Sequence, residues 1–296
     1  MKYEGVVVLF HPEQDLLDNI KSYITELDKL YVIDNTPEVD NSNMFKNIKK
    51  IKYIPLKENK GIAYALNIGA KEALKDKADW LLTMDQDSSF ENNALKNMKE
   101  FITNYSSDKF YKEMIGAKFE SVGIVSPYHM TKRNENIFLV GFEKPLEVMT
   151  SGNLVNLKAY QKVKGFKDWL FIDCVDFDFC LNLRNHNYEI IQLNFCRLKH
   201  GLGNIKEKRL LNKKIYADNH SAFRRYFIAR NRHYLYDLYN KDFPDYCKLE
   251  LKQTRKELIK IWMFEKNKIK KTKAIYRGYR DYKKGIKGDG TDEQNN

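Results

Sequence analysis

The sequence predicts an α/β protein: a mostly parallel sheet flanked by helices, followed by a basic helical extension. Three observations carry this. As far as Asp85, short continuously apolar runs alternate with segments of helical spacing, the pattern of βαβ units. The 296 residues are 43% hydrophobic and 31% charged, enough to bury a substantial core in water. The formal charge of +12 is concentrated, with fourteen Lys and Arg against four acids between Lys248 and Lys284.

The elements follow in chain order. VVVLF (Val6 to Phe10) reads as a strand buried on both faces. Leu16, Leu17, Ile20, Ile24 and Leu27 have helical spacing, so a helix is predicted over 16–27. LYVID is a second strand ending in Asp34-Asn35, and IKYIP a third, stopped by Pro55. Over 61–74, Ile62, Ala65, Leu66, Ala70, Ala73 and Leu74 share one helical face. WLLTM is a fourth strand, VGIVSP another, and Val148 to Asn156 one or two more. An acidic, aromatic loop then leads into a helix near 177–184 and a strand at 189–193. Residues 216–239 and 246–284 read as helices, and GDGTDEQNN as a disordered tail. The expected division is an α/β domain at 1–205, a basic helical extension at 206–285 and a tail at 286–296.

Several classes are excluded. No run reaches the roughly 18 apolar residues of a membrane span. The five apolar residues before His11-Pro12 are too few for a signal-peptide core, so the protein is expected in the cytoplasm. Cys174, Cys180, Cys196 and Cys247 lack CxxC spacing and read as reduced, buried thiols rather than zinc ligands.

In open parallel sheets, ligands bind beyond the carboxyl ends of the strands. There His11, Asp34-Asn35 and Asp85-Gln86-Asp87 are expected to converge. Asp85 and Asp87 suit a hard divalent cation carrying a diphosphate, while Asp87 or Ser88 also suits the N-cap of a helix near Phe90. Asp173, Asp176 and Asp178 lie among Trp169, Phe171, Phe177 and Phe179. Such a setting desolvates a carboxylate and fits a general base, or it holds a structural acid paired with Arg184 or another base. Asn59-Lys60-Gly61 at a helix start fits a phosphate, although Gly61 and Gly69 also read as packing glycines. His200, in LKHGLGN, is a structural histidine, a metal ligand or a diphosphate contact.

Taken in order, these residues resemble the inverting family 2 glycosyltransferases, whose GT-A fold is a Rossmann-like nucleotide-diphospho-sugar transferase fold. The likeness covers residues 3–205. It rests on VVVLFHP, VIDNT, ENKGIAYALNIGAKEA, DQDSSF and FIDCVDFDFCLNLRNHNY. The resemblance implies a donor-nucleotide site from Phe10, His11, Asp34, Asn35, Asn59, Gly61, Asn67, Asp85 and Gln86. It implies Mn²⁺ or Mg²⁺ on Asp85 and Asp87 with His200. It implies Asp176 as catalytic base, with Trp169, Asp173, Asp178 and Arg184 on the acceptor side. Val175 stands where many members carry an acid before the base. DQDS together with FID-x-VD-x-D looks most like the rhamnosyltransferase-type subgroup. That subgroup implies a dTDP-rhamnose or UDP-hexose donor and a lipid-linked saccharide acceptor in bacterial capsule, O-antigen or cell-wall polysaccharide assembly.

Two other classes fit less well. A DxDx(T/V) phosphatase carries its motif near the start of the domain, whereas here it begins at residue 85 and its fourth residue is Ser88. A nucleic-acid-binding protein would use the basic region and the nineteen tyrosines, but no recognised motif is present and no nucleic-acid partner is expected. The basic region instead reads as a peripheral contact with an anionic membrane, on the inner face of the plasma membrane, through an apolar stripe of Leu251, Leu258, Ile259, Trp262 and Met263. Packing on the protein's own core, or a homodimer through the C-terminal helices, is the other reading.

Overall fold

The computed structural model describes residues 1–131, 139–201, 206–210, 213–217 and 219–290, with 206–210 and 213–217 given by backbone alone. They form two compact units, Met1–Lys167 with Asp176–Gly201, and Asp168–Val175 with Leu202–Asn296.

The first unit is built on nine strands: β1 (Tyr3–Leu9), β2 (Lys29–Asp34), β3 (Ile51–Pro55), β4 (Trp80–Asp85), β5 (Ser88–Phe90), β6 (Val122–Met130), β7 (Phe142–Glu143), β8 (Asn153–Asn156) and β9 (Glu189–His200). They lie in the order β3-β2-β1-β4-β8-β6-β9-β5, with β7 also on β9. Strands β1 to β4, β6 and β9 run one way, and β5, β7 and β8 run against them. The helices are α1 (Leu16–Lys21), α2 (Ile62–Lys75), α3 (Ala94–Ser107), α4 (Lys109–Ile115), α5 (Leu157–Lys162) and α6 (Val175–Asn185). Every residue of β1 is buried, as the apolar run Val6–Leu9 requires of a strand covered on both faces, and Glu4 is buried with it, accepting from the Tyr31 hydroxyl at 2.9 Å. All four cysteines are free and buried.

The helix predicted over 16–27 is shorter than its periodicity suggests. α1 stops at Lys21, and Ile24–Glu26 is a separate 3-10 turn. Ser22 ends α1 because its Oγ bonds back to the Asn19 carbonyl at 2.6 Å and accepts the Phe90 N–H at 3.0 Å. Of 148–156, only β8 is extended. Thr150 to Gly152 turn instead, with Gly152 at φ +82°, where a Cβ would strike Pro127 and Leu198. Neither Asp87 nor Ser88 caps a helix: Ser88 opens β5, and α3 starts later, after Asn93.

The second unit corrects the expected extension. Strand β10 (Lys206–Leu210) pairs antiparallel with β11 (Lys213–Ala217), where helix was expected to begin by residue 216. Three helices follow: α7 (Ala222–Tyr239), α8 (Pro244–Phe264) and α9 (Lys268–Lys283). The segment Asp168–Val175 packs with them rather than with the sheet. The tail also starts later than expected. Gly288 donates its N–H to the Trp169 carbonyl at 2.8 Å and accepts from Arg230 at 2.8 Å, so 286–290 are held; residues 291–296 lie outside the described residues. No described helix is long and apolar enough to cross a membrane.

Gly69 decides how closely α2 approaches the sheet. A Cβ there would sit 2.3 Å from Val6 Cγ2 on β1. Gly69→Ala gains about 1 kcal/mol of helix propensity but meets an overpacking cost of about 1–3 kcal/mol. A net loss of stability in urea unfolding is expected, and an unchanged midpoint would mean that α2 lifts off β1 freely.

Candidate functional site

The site begins where β4 leaves the sheet. Gln86 fixes the turn: its Oε1 accepts the Phe10 N–H at 2.8 Å, and its Nε2 donates to the Phe10 carbonyl at 3.1 Å. Asn19 Nδ2 holds the Gln86 carbonyl at 3.0 Å. The chain then re-enters the sheet as β5, with Ser88 opposite His200 on β9. Ser88 Oγ lies 2.7 Å from His200 Nδ1, and Asp87 Oδ1 lies 3.8 Å from the same nitrogen. Ligand atoms of Asp85, Asp87 and His200 fall within 4.8 Å of one another. Gly201 makes room for this cluster, because a Cβ there would meet Asp87 Oδ2 at 2.8 Å. Crowding by protein atoms pushes the Asp87 carboxyl up, with the neighbouring His200 opposing, while 46% of the side chain still meets solvent.

A buried shell supports the acids. Asp85 donates its N–H to Ser151 Oγ at 3.1 Å. His129 Nε2 lies 2.6 Å from the Ser151 carbonyl, which can only accept, so this nitrogen carries the proton. The His129 ring meets the His200 ring edge-on at 6.4 Å. Ser88, His129 and Ser151 were not among the expected site residues. Their only sequence signal is polarity inside otherwise apolar strands and turns.

Beside this turn, the ends of β1 and β2 are laced together. Asn35 donates its N–H to the Leu9 carbonyl at 2.8 Å, and His11 donates its N–H to Thr36 Oγ1 at 2.9 Å. His11 is exposed at φ +48°, and Phe10 is exposed beside it. Asn35 Nδ2 donates to Asn59 Oδ1 at 2.9 Å, and Asn35 Oδ1 accepts the Lys60 N–H at 2.8 Å. Gly61, at φ +83°, opens α2 and gives its N–H to Asn59 Oδ1 at 3.0 Å. Asp34 is buried, accepting from Thr36 N–H at 2.9 Å and from Asn41 and the Tyr53 hydroxyl at 2.7 Å each. It shapes the loop after β2 from within.

Asn67 departs from expectation. It points into the protein, with its Nδ2 on the Phe166 carbonyl at 2.8 Å and its Oδ1 taking the Tyr160 hydroxyl at 2.6 Å and the Phe166 N–H at 3.1 Å. A buried amide bonded at both its oxygen and its nitrogen is a latch between α2 and the loop after α5.

The acidic cluster divides by helix geometry. Positions two apart on α6 differ by about 200°. Asp176 is half-buried in the first turn and lines a cavity of about 10 Å³ with Thr83, Thr150, Asn153, Phe166 and Cys180, room for about one water. Asn153 Oδ1, in the same lining, is buried without a hydrogen-bond partner. Asp178 is fully buried and gripped by Lys167 at 2.8 and 2.9 Å, so it is a structural acid rather than an acceptor-side group. Arg184 ion-pairs with Glu189 and bonds the Pro145 carbonyl, not the acids. It braces the far end of α6.

Trp169 and Asp173 belong to the second unit. Trp169 packs edge-on against Tyr234 at 5.2 Å with the Lys287 ammonium 4.7 Å from its ring. Arg224 forks onto the buried Asp173 carboxylate. Burial pushes that carboxyl up and the Arg224 charge opposes it. Phe171, Asp173 and Cys174 all have φ above +60°, a strained run for side-chain-bearing residues. Buried Asn231 holds it, with Nδ2 at 2.9 Å from the carbonyls of Leu170, Ile172 and Asp173, and buried Arg230 bonds the Trp169 and Leu170 carbonyls at 3.3 and 3.2 Å. A buried Arg-Asn pair inside a helix was the available signal, and the sequence alone gives it no partner.

Residues 6–152 match the family model described as Glycosyl transferase family 2. The dTDP-rhamnosyl transferase RfbF of Shigella flexneri is 28% identical over 239 residues, spanning 77% of this chain and 77% of RfbF. Among solved structures, TarS 1–349 of S. aureus in complex with UDP-GlcNAc matches with a TM-score of 0.54 at 14% identity, over 97% of this chain and 82% of that one. GalNAc-T7 with UDP, GalNAc and Mn²⁺ matches with a TM-score of 0.51 at 12% identity, over 71% of this chain and 44% of that one. At these identities the structural likeness is one of fold, the GT-A arrangement of a mostly parallel sheet flanked by helices.

Burial pushes the His129 imidazole down to about 4 from an ordinary 6.5, with the Ser151 carbonyl opposing. The folded state therefore binds this proton less readily than the unfolded chain. Its stabilising effect is complete above about pH 6.5 and is lost as pH falls toward 4, a change of about 3 kcal/mol. His129→Gln, which keeps a donor for Ser151, should flatten that part of the stability profile between pH 7 and 4. A profile identical to wild type would show that His129 titrates normally.

Proposed function

We propose a metal, a donor and a catalytic base for this chain, which belongs to glycosyltransferase family 2 and is a nucleotide-sugar glycosyltransferase. The reading is transfer of a sugar, with inversion, from dTDP-rhamnose or a UDP-hexose to a saccharide hydroxyl. The acceptor is lipid-linked, in cytoplasmic assembly of a bacterial capsule, O-antigen or cell-wall polysaccharide. RfbF's name supports the dTDP donor, and the UDP-GlcNAc bound to TarS supports the UDP alternative. The basic second unit supports an acceptor held at an anionic surface.

One observation carries the site assignment: Asp85, Asp87 and His200 bring their ligand atoms within 4.8 Å of one another at the mouth of β4. Two carboxylates and an imidazole fit a hard-to-borderline divalent cation. The oxygens suit Mg²⁺ or Mn²⁺, and the nitrogen tips the set toward Mn²⁺. The room that Gly201 leaves beside Asp87 fits the same use. When bound, such an ion would neutralise charge on the diphosphate leaving group. Ser88 fixes the His200 ring from its Nδ1 side. The loop of Phe10, His11, Asn35 and Asn59 borders the nucleotide, with Asp34 shaping it from behind.

Asp176 is the proposed base. It takes the proton of the acceptor hydroxyl as that oxygen bonds to the anomeric carbon, and the bond to the diphosphate oxygen breaks on the opposite face, carrying the electron pair away. Its half-buried place at the start of α6 leaves an open side for the acceptor, whereas Asp178 is closed off by Lys167.

Two experiments test these roles. A thermal-shift panel with dTDP, UDP, GDP and CMP, with and without Mn²⁺ or Mg²⁺, should show a metal-dependent rise for dTDP or UDP. At a hundredfold excess over Kd the rise corresponds to about 2.7 kcal/mol. Asp87→Ala should abolish the rise and Gly201→Ala should reduce it; a panel silent for every nucleotide would sink the donor assignment. In transfer of labelled rhamnose from dTDP-rhamnose to lipid-linked saccharide, Asp176→Asn should retain nucleotide binding but lose about 10²–10⁴-fold in rate. Wild-type transfer by that variant would move the base elsewhere.

A further inference from the structure

We infer that the corner between α8 and α9 is an interfacial docking surface for an anionic bilayer. The surface stands on its own residues and deepens the reading of a lipid-linked acceptor without depending on it.

The stripe expected from sequence splits in two. Leu258 turns inward, packing against Ala229, Ile261 and Ile275. Ile259, Trp262 and Met263 turn outward, 60%, 53% and 51% exposed, and Ile269 at the start of α9 is 64% exposed. Trp262 and Ile269 line one broad depression of about 840 Å³, whose other walls include Lys266, Lys268, Lys270 and Lys273. Large apolar side chains ringed by lysines at a helix–helix corner match the chemistry of a bilayer interface. The indole and aliphatic groups enter the headgroup boundary, and the ammonium groups meet lipid phosphates.

The acids nearest that corner do not offset its charge, because Glu250, Glu257, Glu265 and Asp281 are bound to basic side chains of the unit; Glu265, on the wall of the depression, is itself buried, and the exposed Asp245 lies at the other end of α8. Arg225 binds Glu257 at 2.8 Å and Glu265 at 3.0 Å, and Arg232 binds Glu250 at 3.0 Å and Glu257 at 2.9 Å. Lys271 reaches Glu265 at 2.6 Å, and Asp281 is buried between Arg277 and Arg280. Among the described residues, Lys266, Lys270 and Lys273 are exposed and carry no ion pair. Charge complementarity selects the occupant. A second copy of this chain in a symmetric contact would set like charges against each other, whereas an anionic leaflet attracts each basic side chain, strengthening binding about fivefold apiece.

The test uses the full chain and vesicles of phosphatidylcholine, pure or mixed with phosphatidylglycerol, read by co-sedimentation and tryptophan emission without donor or acceptor. Binding is expected on the mixed vesicles only, weakening with salt, with a blue shift that Trp262→Ser removes. The triple variant Lys266→Ser, Lys270→Ser, Lys273→Ser should lose about 100-fold in affinity and Trp262→Ser about tenfold. All these positions are exposed, so unfolding midpoints should stay at wild type. Equal binding to both vesicles, no binding, or wild-type binding by the triple variant overturns the inference. So does a concentration-dependent dimer, broken by Trp262→Ser, in a protein that ignores vesicles. Because no nucleotide is present, failure here leaves the thermal-shift result on Asp87 unaffected.

Discussion

The pairing of β5 with β9 is the constraint on which the site depends. After Asp85 the chain leaves the parallel ladder of β1 and β4 and re-enters the sheet at its other end, three residues long and antiparallel. Its register puts Ser88 opposite His200, and so brings Asp87 beside a histidine more than a hundred residues away. Side chains alternate faces along a strand, so a one-residue slip would turn His200 away from the carboxylates and dissolve the cluster. Gln86 and Ser151 hold the other side of the turn, so both ends of the Asp-Gln-Asp segment are fixed by bonds to distant parts of the sheet.

Hydrogen-bond satisfaction separates the candidate site residues from the structural ones. A buried polar group must find partners, and one that finds all of them within the protein has none left for a ligand. Asn67 and Asp178 are buried and held from within, by Phe166 and Tyr160 and by Lys167. Gln86 holds Phe10 with both ends of its amide and so positions the turn. Asp85, Asp87 and Asp176 keep some exposure.

The second unit solves a different problem with the same rule. Its three helices are too polar to rest on apolar packing alone, and their interior holds Arg225, Arg230 and Arg232. Acids at positions 250, 257 and 265, near-multiples of two helical turns, lie on one side of α8 and its exit, where they meet Arg225 and Arg232. Buried charges of this kind are costly unless paired, so the acids are drawn inward and the unpaired lysines are left outside. The basic exterior is thus a consequence of how the interior is neutralised.

The sequence by itself determined the α/β class, the order of the principal strands and the place of the acidic turn. Buried strands, amphipathic helices and turns leave local periodicities that survive without tertiary contacts. It also brought His200 into consideration, but only as one of three readings. The assembly of Asp85, Asp87 and His200, the closure of Asn67 and Asp178, and the hold of Asn231 on a strained loop were decided by tertiary structure. Each depends on a partner roughly sixty to more than a hundred residues away, or eleven residues around a loop for Lys167 and Asp178. Local spacing cannot encode such pairings, because the chain finds them only when sheet register and helix packing bring the partners within hydrogen-bonding distance.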